Sequence, residues 1–320
     1  MAVIRKEAYY SSANGRNMIR TLIWQDDEIA PVAVVQIAHG VMEHIGRYDE
    51  FARFLAGLGF VVCGNDHLGH GKSVADEDEL GYIDEEDGYV YIVRDMNTLY
   101  KIMHKRFADL PYFLFGHSLG SFLAKIYAAN FGHELAGLIL CGTGLLPPVV
   151  SMFDGALEDI VSRLGGAGSQ LQFINNLTGK VSAKAYGEDD EFAWLSLNKE
   201  NREEYRNDPL CGFALKNAGT KNVAMIGIKG CDPKWAEQIP EDLSVMLISG
   251  SKDPIGMNGK GVLDLSDQLV TAGHDPVVIL YPVDRHEILH EDDKERVFAD
   301  VANFLKACLQ GVSFYELCWR

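Results

Sequence analysis

Ten residues, Tyr112-Phe113-Leu114-Phe115-Gly116-His117-Ser118-Leu119-Gly120-Ser121, constrain this chain more than any others. A short aromatic and apolar run, with the composition of a buried parallel strand, leads into Gly-His-Ser-Leu-Gly. Phe122 to Ala129 follows with helical periodicity and no breaker. Only a sharp strand-to-helix turn joins two such segments. A serine at the tip of that turn is strained, and side chains two positions to either side would collide. Gly116 and Gly120 remove those side chains, so the Ser118 hydroxyl is expected to face outward. The turn also aims the first helical N–H groups and the positive helix end at whatever meets Ser118.

The rest of the chain repeats this strand-and-helix rhythm. Glu7–Ser12 and Asn17–Trp24 read as an antiparallel pair around Asn14-Gly15, a strong hairpin signal. Further strands are expected at 32–38, 60–66, 112–117, 135–142, 243–250 and 276–281. Helices are expected near 48–56, 89–107, 260–272 and 291–309. Strands alternating with helices imply a mostly parallel sheet covered on both faces. The rhythm breaks between Leu145 and Lys234, where helical and loop signals dominate. Leu157, Ile160, Val161 and Leu164 mark one amphipathic helix there, and Trp194, Leu195 and Leu197 suggest another helical piece. Residues 145–234 are therefore expected to form a helical cap inserted into a core made of 1–144 and 235–320.

The net charge of −17 argues against nucleic acid or an anionic membrane as the main partner, since both need a basic face. Met1 to Glu7 has no apolar core of a signal peptide, and no stretch approaches the roughly 20 apolar residues of a spanning helix. The six cysteines are scattered with no C-x-x-C pair and several sit in apolar runs. They read as buried, reduced thiols of a cytoplasmic protein.

A nucleophilic serine needs a base, an acid and an oxyanion hole. Asp253 follows the strand that ends near Ser249, and His286 follows the strand that ends at Tyr281. The order Ser118, Asp253, His286 is that of the α/β hydrolases and of neither common serine-protease order. Each of the three follows its own predicted strand at the carboxyl end, where a parallel sheet gathers functional loops. One oxyanion donor is expected from the Leu119 N–H, next after the nucleophile. The other is expected from the loop after the third strand, at Val41, with Gly40 permitting close approach.

These motifs resemble those of monoacylglycerol lipases and related bacterial lysophospholipases. The resemblance rests on the Gly-His-Ser-Leu-Gly elbow, on His39-Gly40-Val41-Met42-Glu43-His44-Ile45-Gly46-Arg47-Tyr48, on Asp66 to Ser73 and on Arg285-His286-Glu287-Ile288-Leu289. It implies an α/β-hydrolase fold with a helical cap, no cofactor, and hydrolysis of esters of single-chain acyl lipids. It also implies that Glu43 and Arg47 lie near the alcohol-binding end, where they can instead form a structural ion pair. Membrane contact is expected to be transient at most, through the cap.

Other readings are carried alongside. A small-ester hydrolase or an aminopeptidase of the same fold is one; a peptidase would need cap carboxylates for the substrate's α-amine, and Glu188, Asp189, Asp190 and Glu191 supply charge, although the run reads more simply as a solvated turn. A non-catalytic binding protein is another, but binding alone needs no such triad. His286-Glu287-Ile288-Leu289-His290 matches the zinc-peptidase pattern H-E-x-x-H, which requires both histidines on one helix face. Here the motif follows a strand by only four residues. Gly69-His70-Gly71-Lys72-Ser73 resembles the end of a phosphate-binding loop, but Asp66 stands where the first glycine belongs, so a structural loop is expected.

Overall fold

The computed structural model describes residues 3–145 and 186–318. Eight strands form one sheet: β1 (Val3–Ser11), β2 (Met18–Asp26), β3 (Ala33–Ala38), β4 (Phe60–Asn65), β5 (Tyr112–His117), β6 (Gly137–Cys141), β7 (Val245–Gly250) and β8 (Val277–Tyr281). Their order is β1-β2-β4-β3-β5-β6-β7-β8. The first two pairings, β1–β2 and β2–β4, are antiparallel, and all others are parallel. The β1–β2 hairpin turns at Gly15, whose φ of +71° is the left-handed value such a turn needs.

The helices are α1 (Asp49–Ala56), α2 (Gly88–Arg106), α3 (Leu119–Phe131), α4 (Lys199–Asn207), α5 (Asn217–Gly230), α6 (Lys260–Thr271), α7 (Lys294–Gln310) and α8 (Phe314–Cys318). Strand side chains alternate between the two faces. Val34, Leu114, Leu138 and Leu247 meet α2, α3 and α6 on one side. Val35, Phe113, Phe115, Ile139 and Ile248 meet α1 and α7 on the other. Strands β3 to β7 are buried along their whole length, which is why they read as continuous apolar runs.

The chain leaves β3 toward β4 on one side and returns to place β5 on the other. Such a reversal opens a crevice beyond the carboxyl ends of the two strands. The Gly40 loop and Ser118 both emerge there. Between β6 and β7 the described residues hold α4, α5 and turns. The amphipathic helix expected around Leu157 to Leu164 lies outside the described residues. Trp194, Leu195 and Leu197 are not helical: residues 191–195 are turns. The final helix starts at Lys294 rather than Glu291, because the Glu291 carboxylate is occupied by Ser196 Oγ and the N–H groups of Leu197 and Arg285. Among the described residues no helix is long and apolar enough to cross a membrane.

Candidate active site

Ser118 sits at the end of β5 with φ 54° and ψ −121°, a conformation costly for any residue with a side chain. The turn closes because of its glycines. A Cβ on Gly116 would stand 2.3 Å from the Gly120 carbonyl oxygen, and one on Gly120 would stand 2.0 Å from that of Ala38. The Ser118 N–H donates to Cys141 O at 2.9 Å, and its carbonyl accepts from Ser121 Oγ at 2.6 Å. Tyr112 to Gly120 are buried except Ser118, which is half-buried. The strain is thus held by surrounding structure, and Ser118 is the one residue of this segment that is not fully buried.

Asp253 and His286 meet beside this turn. His286 Nδ1 lies 3.0 Å from Asp253 Oδ2, and both side chains are almost fully buried. Asp253 also accepts from Ile255 N at 2.8 Å and from Ser249 Oγ at 3.1 Å. Burial raises the Asp253 pKa, but the His286 charge and these hydrogen bonds outweigh it, and the carboxyl sits below its usual range. Burial likewise disfavours the imidazolium of His286, but Asp253, then Glu287 and Glu43, more than compensate, and its pKa is raised above 6.5. With Nδ1–H donating to Asp253, the lone pair is on Nε2. The ring lies next to the elbow: its centroid is 4.9 Å from that of His117, and its Cε1 is 3.1 Å from where a Cβ on Gly142 would stand. Among the described residues no hydrogen bond joins the Ser118 hydroxyl to His286. In unliganded active sites the hydrogen bond between nucleophile and base is often long and tightens only with substrate bound.

Val41, in the loop after β3, and Leu119, the first residue of α3, lie on either side of Ser118. A Cβ on Gly40 would be 2.6 Å from Glu43 Oε1 and 3.2 Å from Ser118 Cβ, so glycine leaves room both for the carboxylate that holds this loop and for the serine. Among the described residues neither the Val41 nor the Leu119 N–H has an acceptor. Two unsatisfied donors beside a half-buried nucleophile are what a developing oxyanion requires.

The Gly40 loop is held by Glu43. One carboxylate oxygen accepts from Gly40 N at 2.5 Å and from Tyr48 Oη at 2.8 Å, and the other from Arg47 Nη1 at 2.9 Å. Burial raises the Glu43 pKa, but the hydrogen bond with His117 and the Arg47 charge carry it well below the carboxylate range. Arg47 makes a two-pronged contact with Glu287, at 2.6 and 2.9 Å, and Nη2 donates to Asn201 Oδ1 of α4 at 2.9 Å. Glu43 and Arg47, expected near a leaving alcohol, are therefore engaged with each other and with the loop backbone. Asp66 braces the same loop by accepting from Ile45 N, and it also accepts from Lys72 N. Its carboxylate lies 2.4 Å from where a Cβ on Gly71 would be, so an acidic side chain is packed against this loop.

Four residues with positions in this site were not singled out for it in the sequence. Ser249 supports Asp253; Glu287 and Asn201 hold Arg47; Trp194 packs its ring on His286 at 5.2 Å. Glu287 was visible next to His286, but as part of a metal motif. That motif lies in irregular backbone and one 3₁₀ turn, Ile288–His290, so its histidines share no helix face. Among the described residues, His44, Asp208 and Cys211 bring possible metal ligands within 4.8 Å of one another. His44 Nδ1 accepts from Gly46 N, however, so Nε2 carries the proton toward Asp208 and offers a metal no lone pair.

A mostly parallel sheet flanked by helices, with a strained serine after β5 and a carboxylate–histidine pair after β7 and β8, defines an α/β hydrolase. A family model described as serine aminopeptidase, S33, matches residues 29–293, and the chain belongs to that family. It is 27% identical over 301 residues to a monoacylglycerol lipase of Mycolicibacterium smegmatis, covering 94% of this chain and 97% of that one. It is 29% identical over 263 residues to the human monoglyceride lipase, covering 82% and 77%. Among solved structures, a thermostable carboxyl esterase from Bacillus coagulans, in complex with glycerol, superposes with a TM-score of 0.87 at 31% identity, covering 96% of this chain and all of that one.

Proposed function

We propose that the protein hydrolyses carboxylic esters of single-chain acyl lipids, monoacylglycerols or lysophospholipids, through an acyl-enzyme on Ser118. The observation that carries this reading is the buried Asp253–His286 pair beside a strained, half-exposed serine with two unpartnered N–H groups. His286 Nε2 takes the Ser118 proton as Oγ attacks the ester carbonyl. Val41 and Leu119 receive the oxyanion. His286 then returns the proton to the leaving alcohol, and a water repeats the sequence on the acyl-enzyme. Asp253 holds the imidazole in the required tautomer and offsets its positive charge. Residues 145–234 act as the cap over this crevice. Leu145, packed on the core, begins the apolar stretch that would line an acyl tunnel. Leu146, Val149, Val150, Met152 and Phe153 of that stretch lie outside the described residues. Buried free thiols at Cys63, Cys141 and Cys211 favour a reducing, cytoplasmic setting.

The peptidase reading is weakened by where the acidic groups are. Glu188 pairs with Arg285 and Arg202, Asp190 with Arg202 and Arg206, and Glu43 with Arg47. Carboxylates neutralised in this way have little left for a substrate ammonium. The relatives named for lipase and esterase activity support the ester reading as well.

The test is a p-nitrophenyl ester series of rising chain length, with 1-monoacylglycerols, lysophosphatidylcholines and aminoacyl p-nitroanilides in parallel. A rise in kcat/KM with acyl length, continued on monoacylglycerol or lysophospholipid, is expected. Turnover of acetyl esters alone, or of anilides in preference to esters, would overturn it.

A further inference from the structure

Residues 186–196 run as a strap across the loops that carry Asp253 and His286. The Tyr186 hydroxyl donates to Lys252 O, and the Arg285 guanidinium lies 4.2 Å from the Tyr186 ring centre. Arg285 also donates to Ala193 O and pairs with Glu188 at 2.7 Å. The backbones then meet: His286 N donates to Trp194 O at 3.4 Å and Glu287 N to Leu195 O at 2.7 Å. This pairing fixes the half-buried Trp194 ring against the His286 ring, with centroids 5.2 Å apart and planes inclined by 37°. His117 lies on the imidazole as well, at 4.9 Å. Asp253 is bonded to the ring, the carboxylates of Glu287 and Glu43 act on it electrostatically, and the neighbouring Arg285 is engaged with Glu188.

We infer that Trp194 is a positioning residue for His286, holding the imidazole toward Ser118 and stabilising the imidazolium that forms when the Ser118 proton arrives at Nε2. The indole face attracts a cation within about 6 Å, and the attraction grows where water is excluded. His286 changes charge during the reaction, so an aromatic face contributes more to the charged state than to the neutral one, which is the condition for lowering a barrier. An aliphatic side chain would exclude water equally well without that preference. The inference rests on His286 being the base of the proposed reaction, but one arm of its test requires no turnover.

That arm is the emission of the resting enzyme as a function of pH. A protonated imidazole in contact with an indole quenches it. The wild-type emission should therefore fall as pH drops through the His286 titration, and both Trp194→Phe and His286→Asn should lose this component. Trp24, Trp235 and Trp319 supply the background, which the Trp194→Phe variant records by itself, the first two being bonded to Asp49 and to the Lys125 carbonyl. The second arm is the pH profile of kcat/KM on a soluble short-chain ester. Trp194→Leu should move the acid limb to lower pH and reduce kcat roughly threefold to tenfold with little change in KM, while Trp194→Phe should stay near wild type. A titrating component lost in His286→Asn but undiminished in Trp194→Phe, or an acid limb unmoved in folded Trp194→Leu, would overturn the inference. If the leucine variant does not fold, the emission of Trp194→Phe decides alone. A wild type that turns over no ester would sink the proposed function and leave the emission result standing.

Discussion

Arg47 and Glu287 join head to head through hydrogen bonds of 2.6 and 2.9 Å although 240 residues separate them in the chain. One belongs to the loop that presents Val41, the other follows His286 directly. Their side chains are 9% and 3% exposed, so the pair ties the oxyanion loop to the base loop inside the protein. Removing one partner strands a buried charge, which costs about 3–5 kcal/mol. Arg47→Met is expected to lose that much in urea unfolding. Adding Glu287→Leu should restore part of it, and strict additivity of the two losses would show that the pair is not coupled.

Asp253 is expected to matter through orientation and charge. Asp253→Asn keeps the shape but favours the wrong imidazole tautomer, which costs about 10⁴ in kcat in a comparable triad. Because the Asp253 charge is also the chief influence that raises the His286 pKa, the remaining activity should show its acid limb at lower pH. Steady-state kinetics across pH measure both. A loss below tenfold would contradict the role.

The pKa shifts at the site predict pH-dependent contributions to stability of opposite sign. The folded-state pKa of His286 is above 6.5, so its contribution is full below pH 6.5 and is lost as pH rises through the raised value. For Glu43 and Glu287 the folded-state pKa lies below 4.5, so their contribution is present above pH 4.5 and is lost as pH falls below it. Activity needs neutral His286, so activity should rise with pH through the same titration in which the stabilising contribution of His286 is lost. The stability advantage over His286→Asn should shrink as pH rises above 6.5. An advantage that grows with pH would contradict the sign.

The strain at Ser118 predicts a trade of stability for function. Backbone strain of this kind costs about 1–3 kcal/mol, and glycine relieves it. Ser118→Gly is expected to be more stable than Ser118→Ala by about 1 kcal/mol or more, with both inactive. Thermal unfolding of the two variants side by side is the measurement. Equal midpoints would mean that the turn stores no strain.

Much of this was legible in the sequence because it depends on local chemistry. Gly116, Ser118 and Gly120 announce a turn that almost nothing else can form, and continuous apolar runs announce buried strands. What escaped depends on partners distant in the chain. Glu188 looked like part of a solvated acidic run, yet it pairs with Arg285, 97 residues away. Trp194 and Leu195 looked helical, but hydrogen bonds from the His286 loop hold them in turns. Glu287 read as a metal-motif residue because nothing local reveals that Arg47 reaches it.

The central claim is that Ser118 carries the acyl group. A fluorophosphonate probe, followed by peptide mass spectrometry of the labelled protein, tests it most directly. The expected result is one adduct on the peptide containing Ser118, absent in Ser118→Ala and strongly slowed in His286→Asn. Labelling at another residue, or ester turnover undiminished in Ser118→Ala, would contradict it.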